Sequence, residues 1–168
     1  MSIHIYLIHG GSFLRHSLSN DDLAELASYM EARFGLDRNI FQSYHWEKSA
    51  HDFWMMPKEL SDFTAIDEEI EKRGLRAFNG DKKPPKPTTI FIQRFSRHFS
   101  KNIIDLSESD FKDIIDKKLL IGRAIGIERG FVLLRRYGVC LGCGFTRGDD
   151  VESHLPKRLT HSISPKFL

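Results

Sequence analysis

The segment from Gly130 to Arg158, GFVLLRRYGVCLGCGFTRGDDVESHLPKR, admits few folds. Phe131 to Leu134 is an aromatic and branched run suited to a pleated sheet. Tyr137-Gly138 turns the chain into a second run, Val139 to Phe145, interrupted by Gly142 and Gly144. Glycines inside a strand mark a bulge or a close backbone approach. Arg147-Gly148-Asp149-Asp150 supplies another turn, and a third short segment closes on Leu155-Pro156-Lys157-Arg158. Three antiparallel strands so near in sequence, cornered by glycine, predict part of a small curved barrel. Its cations fall at the turns and at the exit.

The rest of the chain reads as a second kind of unit. Ile3 to Ile8 is a short opening strand stopped by Gly10-Gly11. Ser19 with Asp22 has the spacing of a capping box, and Leu23, Leu26, Ala27, Met30 and Phe34 recur at helical spacing as far as Gly35. Phe41 to Met56 predicts a hairpin that turns near Lys48 to His51. Pro57 then opens an acidic helix carrying Leu60, Phe63, Ile66 and Ile70. Leu75 to Phe78 is a further strand. Residues 1–87 are therefore expected to form a small α/β domain, with residues 88–168 as a second unit. Thr88 to Phe99 fits a helix better than a strand, Asn102 to Leu106 reads as a strand, and Ser107 with Asp110 caps another short helix.

Composition bounds the setting. With 40% hydrophobic and 29% charged residues over 168 positions, the chain is neither disordered nor fibrous. Its net charge of +2 points to no partner by itself. No apolar run approaches the ~18 residues of a membrane span, and Met1 to Ile8 lacks a charged leader and cleavage site. Cys140 and Cys143 lie on one predicted strand, where disulfide geometry is rare. A reducing, cytoplasmic location is expected.

Charge distribution says more than net charge. Between Lys82 and Asn102 there is no acidic residue, while Lys82, Lys83, Lys86, Arg94, Arg97 and Lys101 are basic and His98 lies among them. Interleaved with Phe91, Phe95 and Phe99, these cations fit either a phosphate-tracking surface or a solvated linker that offsets the acidic helix. Pro84, Pro85 and Pro87 predict an extended connector. Signals for catalysis are weak. Cys140 and Cys143 form one Cys-x-x-Cys without the second pair or suitably spaced histidines of a structural zinc site, which favours core packing. His9-Gly10-Gly11 is similar to the oxyanion loop of some esterases, but no Gly-x-Ser-x-Gly elbow accompanies it and Ser12 stands alone. Phosphate-binding glycine fingerprints are absent.

In order along the chain, Gly130-Phe-Val-Leu-Leu, Tyr137-Gly-Val-Cys-Leu-Gly-Cys-Gly-Phe and Glu152-Ser-His-Leu-Pro-Lys157 resemble PUA-like RNA-binding domains. They are most similar to the one at the C-terminal end of Sun-family RNA cytosine-5 methyltransferases. Lys86-Pro-Thr-Thr and Arg97-His98 to Asn102 are similar to the lead-in of that domain. The resemblance implies an α+β chain in which an N-terminal α/β domain precedes a PUA-like β-pseudobarrel gripping structured RNA. It does not imply methylation: Cys140 follows Val139, Cys143 follows Gly142, and no glycine-rich S-adenosylmethionine loop is present.

The expected function is a non-catalytic RNA-binding accessory in ribosome assembly or RNA modification. It would need no cofactor or metal, and its partner would be ribosomal or transfer RNA rather than DNA or membrane. Lys157, Arg158 and Arg147 are expected on phosphates, and His154 on a base. Arg94, Arg97, His98 and Lys101 would continue the track, with Gly142 and Gly144 shaping the strand for a bulge or for close RNA approach. The alternative is a subunit docking on a separately encoded modification enzyme, through Trp46, Trp54 and the acidic helix.

Overall fold

The computed structural model describes residues 15–60 and 74–157. It opens with β1 (His16–Ser17) and α1 (Asn20–Phe34). The helix begins where Ser19 Oγ accepts the Asp22 N–H at 3.1 Å. It ends at Gly35, whose φ of 65° is the left-handed stop that glycine takes without strain. Leu26, Ala27, Met30 and Phe34 form its buried face, the stripe that the 3.6-residue period predicts. One helical turn, α2 (Asn39–Gln42), leads into the expected hairpin of β2 (Tyr44–Lys48) and β3 (Asp52–Pro57). A 3₁₀ turn, Lys58–Leu60, follows Pro57. The remainder of the expected acidic helix lies outside the described residues, as do the opening strand, the stretch from His9 to Ser12, and Arg158.

β4 (Leu75–Asn79) and β5 (Lys86–Pro87) complete an antiparallel sheet of order β1-β2-β3-β4-β5. The proline-rich connector is thus more than a spacer. Its end pairs as an edge strand, with Pro87 opposite Phe78 and Lys86 opposite Asn79, a place where a residue lacking an N–H costs little.

Thr88 Oγ1 then caps α3 (Thr89–Arg94) by accepting the Phe91 N–H, and a 3₁₀ turn, Ser96–His98, extends it. Phe91, Ile92, Phe95 and Phe99 all point into the core. The aromatics that alternate with cations in the sequence are therefore structural, and the cations lie on the surface.

The second sheet runs β6 (Ile103–Asp105), β8 (Phe131–Arg136), β9 (Val139–Arg147), β10 (Asp150–Ser153) and β7 (Leu119–Leu120). Only β6 and β8 are parallel. Between β6 and β7 lies α4 (Glu108–Lys117), opened by a full capping box in which Ser107 and Asp110 exchange side-chain and backbone bonds. The sheet curls into a half-barrel. Phe111 and Ile114 of α4 pack with Val132, Leu134, Val151 and Leu155 on one face. Phe131 and Leu133, the alternate residues of β8, face the other cluster together with α1, α3 and the first sheet. That larger cluster includes Phe78 and Met55 as well as Phe91 and Cys143, so the hydrophobic core is continuous across Pro87 and Thr88.

β9 carries the bend. Leu134 pairs with Gly142 but Arg135 with Cys140, so Leu141 is an extra, bulged residue. On a regular strand Cys140 and Cys143 would face opposite ways; the bulge puts both in the same cluster. Both interior glycines make room for packed side chains. A Cβ on Gly142 would lie 2.6 Å from Leu155 Cδ2, and one on Gly144 would lie 2.6 Å from Val151 Cγ1. The architecture is α+β, and among the described residues no helix is long and apolar enough to cross a membrane.

Candidate nucleic-acid interface

The segment Thr88–Lys101 sorts its residues cleanly. Phe91, Phe95 and Phe99 are 0–6% exposed, whereas Arg94, Arg97, His98 and Lys101 are all exposed. Arg94 lies over the Tyr44 ring, its guanidinium carbon 5.8 Å from the centroid, and His98 packs edge-on to Phe95. Among the described residues, Arg97 and Lys101 have no ion-pair partner. The segment is fixed at two points to the half-barrel and at a third to α1. Gln93 Nε2 donates to the Leu141 carbonyl at 3.3 Å, Ser96 Oγ accepts the Cys140 N–H at 2.7 Å, and the Lys101 N–H reaches the Phe34 carbonyl at 3.1 Å. Arg97 and His98 are thereby held beside the first residues of β9.

A second group gathers where β10 ends. Lys86, Arg147 and Lys82 are near enough for their charges to act on His154. The His154 ring stacks on Phe145 at 6.4 Å and meets Phe131 edge-on at 6.0 Å, and its Nδ1 is buried with no partner among the described residues. Burial first, and then the Lys86 charge, hold the imidazole below its usual pKa, so it is neutral near pH 7. One side of the half-buried His154 ring thus lies against Phe145. Arg147 is also engaged: its Nε and a terminal nitrogen both reach Glu152 Oε2, at 2.7 and 2.6 Å. Lys157 is exposed just beyond Leu155.

The hairpin tip between β8 and β9, a turn in the sequence pattern, has a specific geometry. Tyr137 and Gly138 form a two-residue turn closed by Arg136 opposite Val139, with φ of 50° and 76°. Positive φ at both positions is the geometry of a type I′ turn, which favours Asn-Gly. Tyr137 is 84% exposed and Val139 52%. Beneath the tip, the Arg136 guanidinium is sandwiched, 4.2 Å from the Phe111 centroid and 4.8 Å from that of Tyr137. It donates to Tyr137 Oη at 3.2 Å and pairs with Glu108.

The two cysteines lack the features of a reactive centre. Cys140 and Cys143 are buried, with sulfurs 3.9 Å from the carbonyls of Ser96 and Pro87. Burial raises both thiols, Cys143 to about 11, the opposite of what a nucleophile or thiolate ligand needs. No group of three His, Cys, Asp or Glu among these residues is placed to hold a metal. Trp46 is also removed from any interface: it is 3% exposed, stacks on Phe41 at 5.1 Å and donates Nε1–H to the Phe41 carbonyl.

No protein-family model and no curated protein matches the sequence. Among solved structures, the fold is similar to that of hypothetical protein PH0734.1 from the hyperthermophilic archaeon Pyrococcus horikoshii OT3. The TM-score is 0.54 at 16% identity, over 86% of this chain and 95% of that one. At that identity the likeness concerns the fold alone.

Proposed function

We propose that this protein binds structured RNA, ribosomal or transfer, as a non-catalytic accessory of ribosome assembly or RNA modification, through a PUA-like half-barrel. The observation that carries the reading is the outward row Arg94, Arg97, His98 and Lys101, set on a segment whose aromatics are all buried. Arg97 and Lys101, with no ion-pair partner among the described residues, carry the phosphate contacts. Arg147 joins by exchanging Glu152 for phosphate, and Lys157 and Arg158 extend the surface. His154 lies at its margin.

The test is a filter-binding titration with a structured RNA at several salt concentrations. About four phosphate contacts give a slope of log K on log salt near −3, using the single-strand coefficient. Arg97→Glu with Lys101→Glu is expected to weaken binding and roughly halve that slope. Unchanged affinity at low salt excludes this surface.

A second reading, a docking subunit for a separate enzyme, draws on Ile121 and Ile125. They are 74% and 73% exposed in the loop between β7 and β8. Partners recovered from extract that survive nuclease treatment and disappear with Ile121→Ser/Ile125→Ser favour it.

A further inference from the structure

The β8–β9 hairpin tip is built against its own stability. A bulky residue in the left-handed region costs roughly 1–2 kcal/mol, which glycine avoids and asparagine reduces, yet Tyr137 sits there with φ 50° and 84% of its surface exposed. Burial offers no compensation. Exposed backbone strain of this kind is held by surrounding structure and points to use rather than to packing.

The surroundings state the use. Phe111, the Arg136 guanidinium and Tyr137 form a layered stack, with Phe111 buried at the bottom and Tyr137 outermost. Glu108 pairs with Arg136 from the first turn of α4 and fixes the guanidinium between the rings. The tyrosine is thus a preoriented aromatic surface backed by a cation. The nearby charges are balanced or basic: Arg135 is bidentate on Asp105 at 2.6 and 2.7 Å. The 3₁₀ turn carrying Arg97 and His98 is tied to Cys140, two residues past the tip.

We infer that Tyr137 is a stacking platform for one unpaired base of the bound RNA. The inference rests on the RNA-binding reading above and narrows its target to RNA with a looped or bulged nucleotide rather than uninterrupted duplex. A flat, π-rich, sequence-tolerant occupant suits an exposed phenol ring backed by a guanidinium.

The experiment compares a hairpin RNA carrying a fluorescent adenine analogue in its loop with a blunt duplex of the same stem. Wild-type protein is expected to prefer the hairpin by about 5- to 150-fold, the range of one base–aromatic stack, and to quench the analogue. Tyr137→Ala is expected to lose the preference and the quenching while keeping its affinity for the duplex; Tyr137→Trp should retain both. Tyr137→Asn supplies a folded control. It relieves the turn, raises Tm by about 2–4 °C, and still loses the preference. If Tyr137→Ala binds and quenches like wild type while Arg97→Glu/Lys101→Glu weakens both RNAs, the platform is wrong and RNA binding stands. If wild-type protein binds neither RNA at low salt, the RNA reading fails and the platform with it.

Discussion

Gly142 and Gly144 occupy similar places in β9 but are not equally replaceable. At Gly144 a new Cβ would meet Val151 Cγ1 at 2.6 Å and the Glu152 carbonyl oxygen at 3.0 Å, and the backbone of β10 cannot retreat without breaking its pairing with β9. At Gly142 the nearest atom, also at 2.6 Å, is the far end of Leu155, which has other rotamers. Overpacking costs typically ~1–3 kcal/mol. Gly144→Ala is expected to lose stability within that range, and Gly142→Ala clearly less, measured by urea unfolding. Sequence alone marked both glycines as sites of bulge or close approach, but not which neighbour approached. That depends on where β10 and Leu155 return in space. The fate of Cys140 and Cys143 was hidden for a related reason: their shared face depends on the extra residue Leu141, and only the pairing with β8 reveals it.

Elements with local signals were legible. Ser19, Gly35, Ser107 and Asp110 end or begin helices by satisfying backbone groups nearby in sequence, and the structure places α1 and α4 where those residues predict. The hairpin of β2 and β3 and the strands β8, β9 and β10 of the half-barrel were equally readable from period and turn residues. β5 was not, because a two-residue strand ending in proline has no period and gains its partners only from β4. The four exposed cations of the Thr88–Lys101 segment were legible as a charge run, whereas Tyr137 required the turn geometry. α4 also supports the hairpin tip, since Glu108 in its first turn holds Arg136. Ser107→Ala removes the cap and is expected to cost about 1 kcal/mol, lowering Tm by ~2–4 °C in a thermal melt.

At the scale of the whole molecule, α1 joins the two sheets. Arg33 donates to the carbonyls of Phe131 at 2.7 Å and Glu128 at 3.0 Å, and Asn102 Nδ2 returns to the Arg33 carbonyl at 2.6 Å. Tyr29, Phe34 and Phe99 meet edge-to-face in turn along the same seam. With one hydrophobic cluster shared by both sheets, denaturation is expected to follow a single cooperative transition, with helix ellipticity and tryptophan fluorescence changing together. Two separated midpoints would show that the halves unfold independently.

The proline-bearing strand β5 has one more consequence. Sheet margins are where chains recruit each other, since unpaired amides and carbonyls there form a template for foreign strands. Here one margin ends in Lys86 and Pro87, a charge and a residue with no amide hydrogen, and the opposite margin, β1, is two residues long. Among the described residues, the first sheet thus shows no long, bare edge for strand donation, and encounters at its margins fall to side chains.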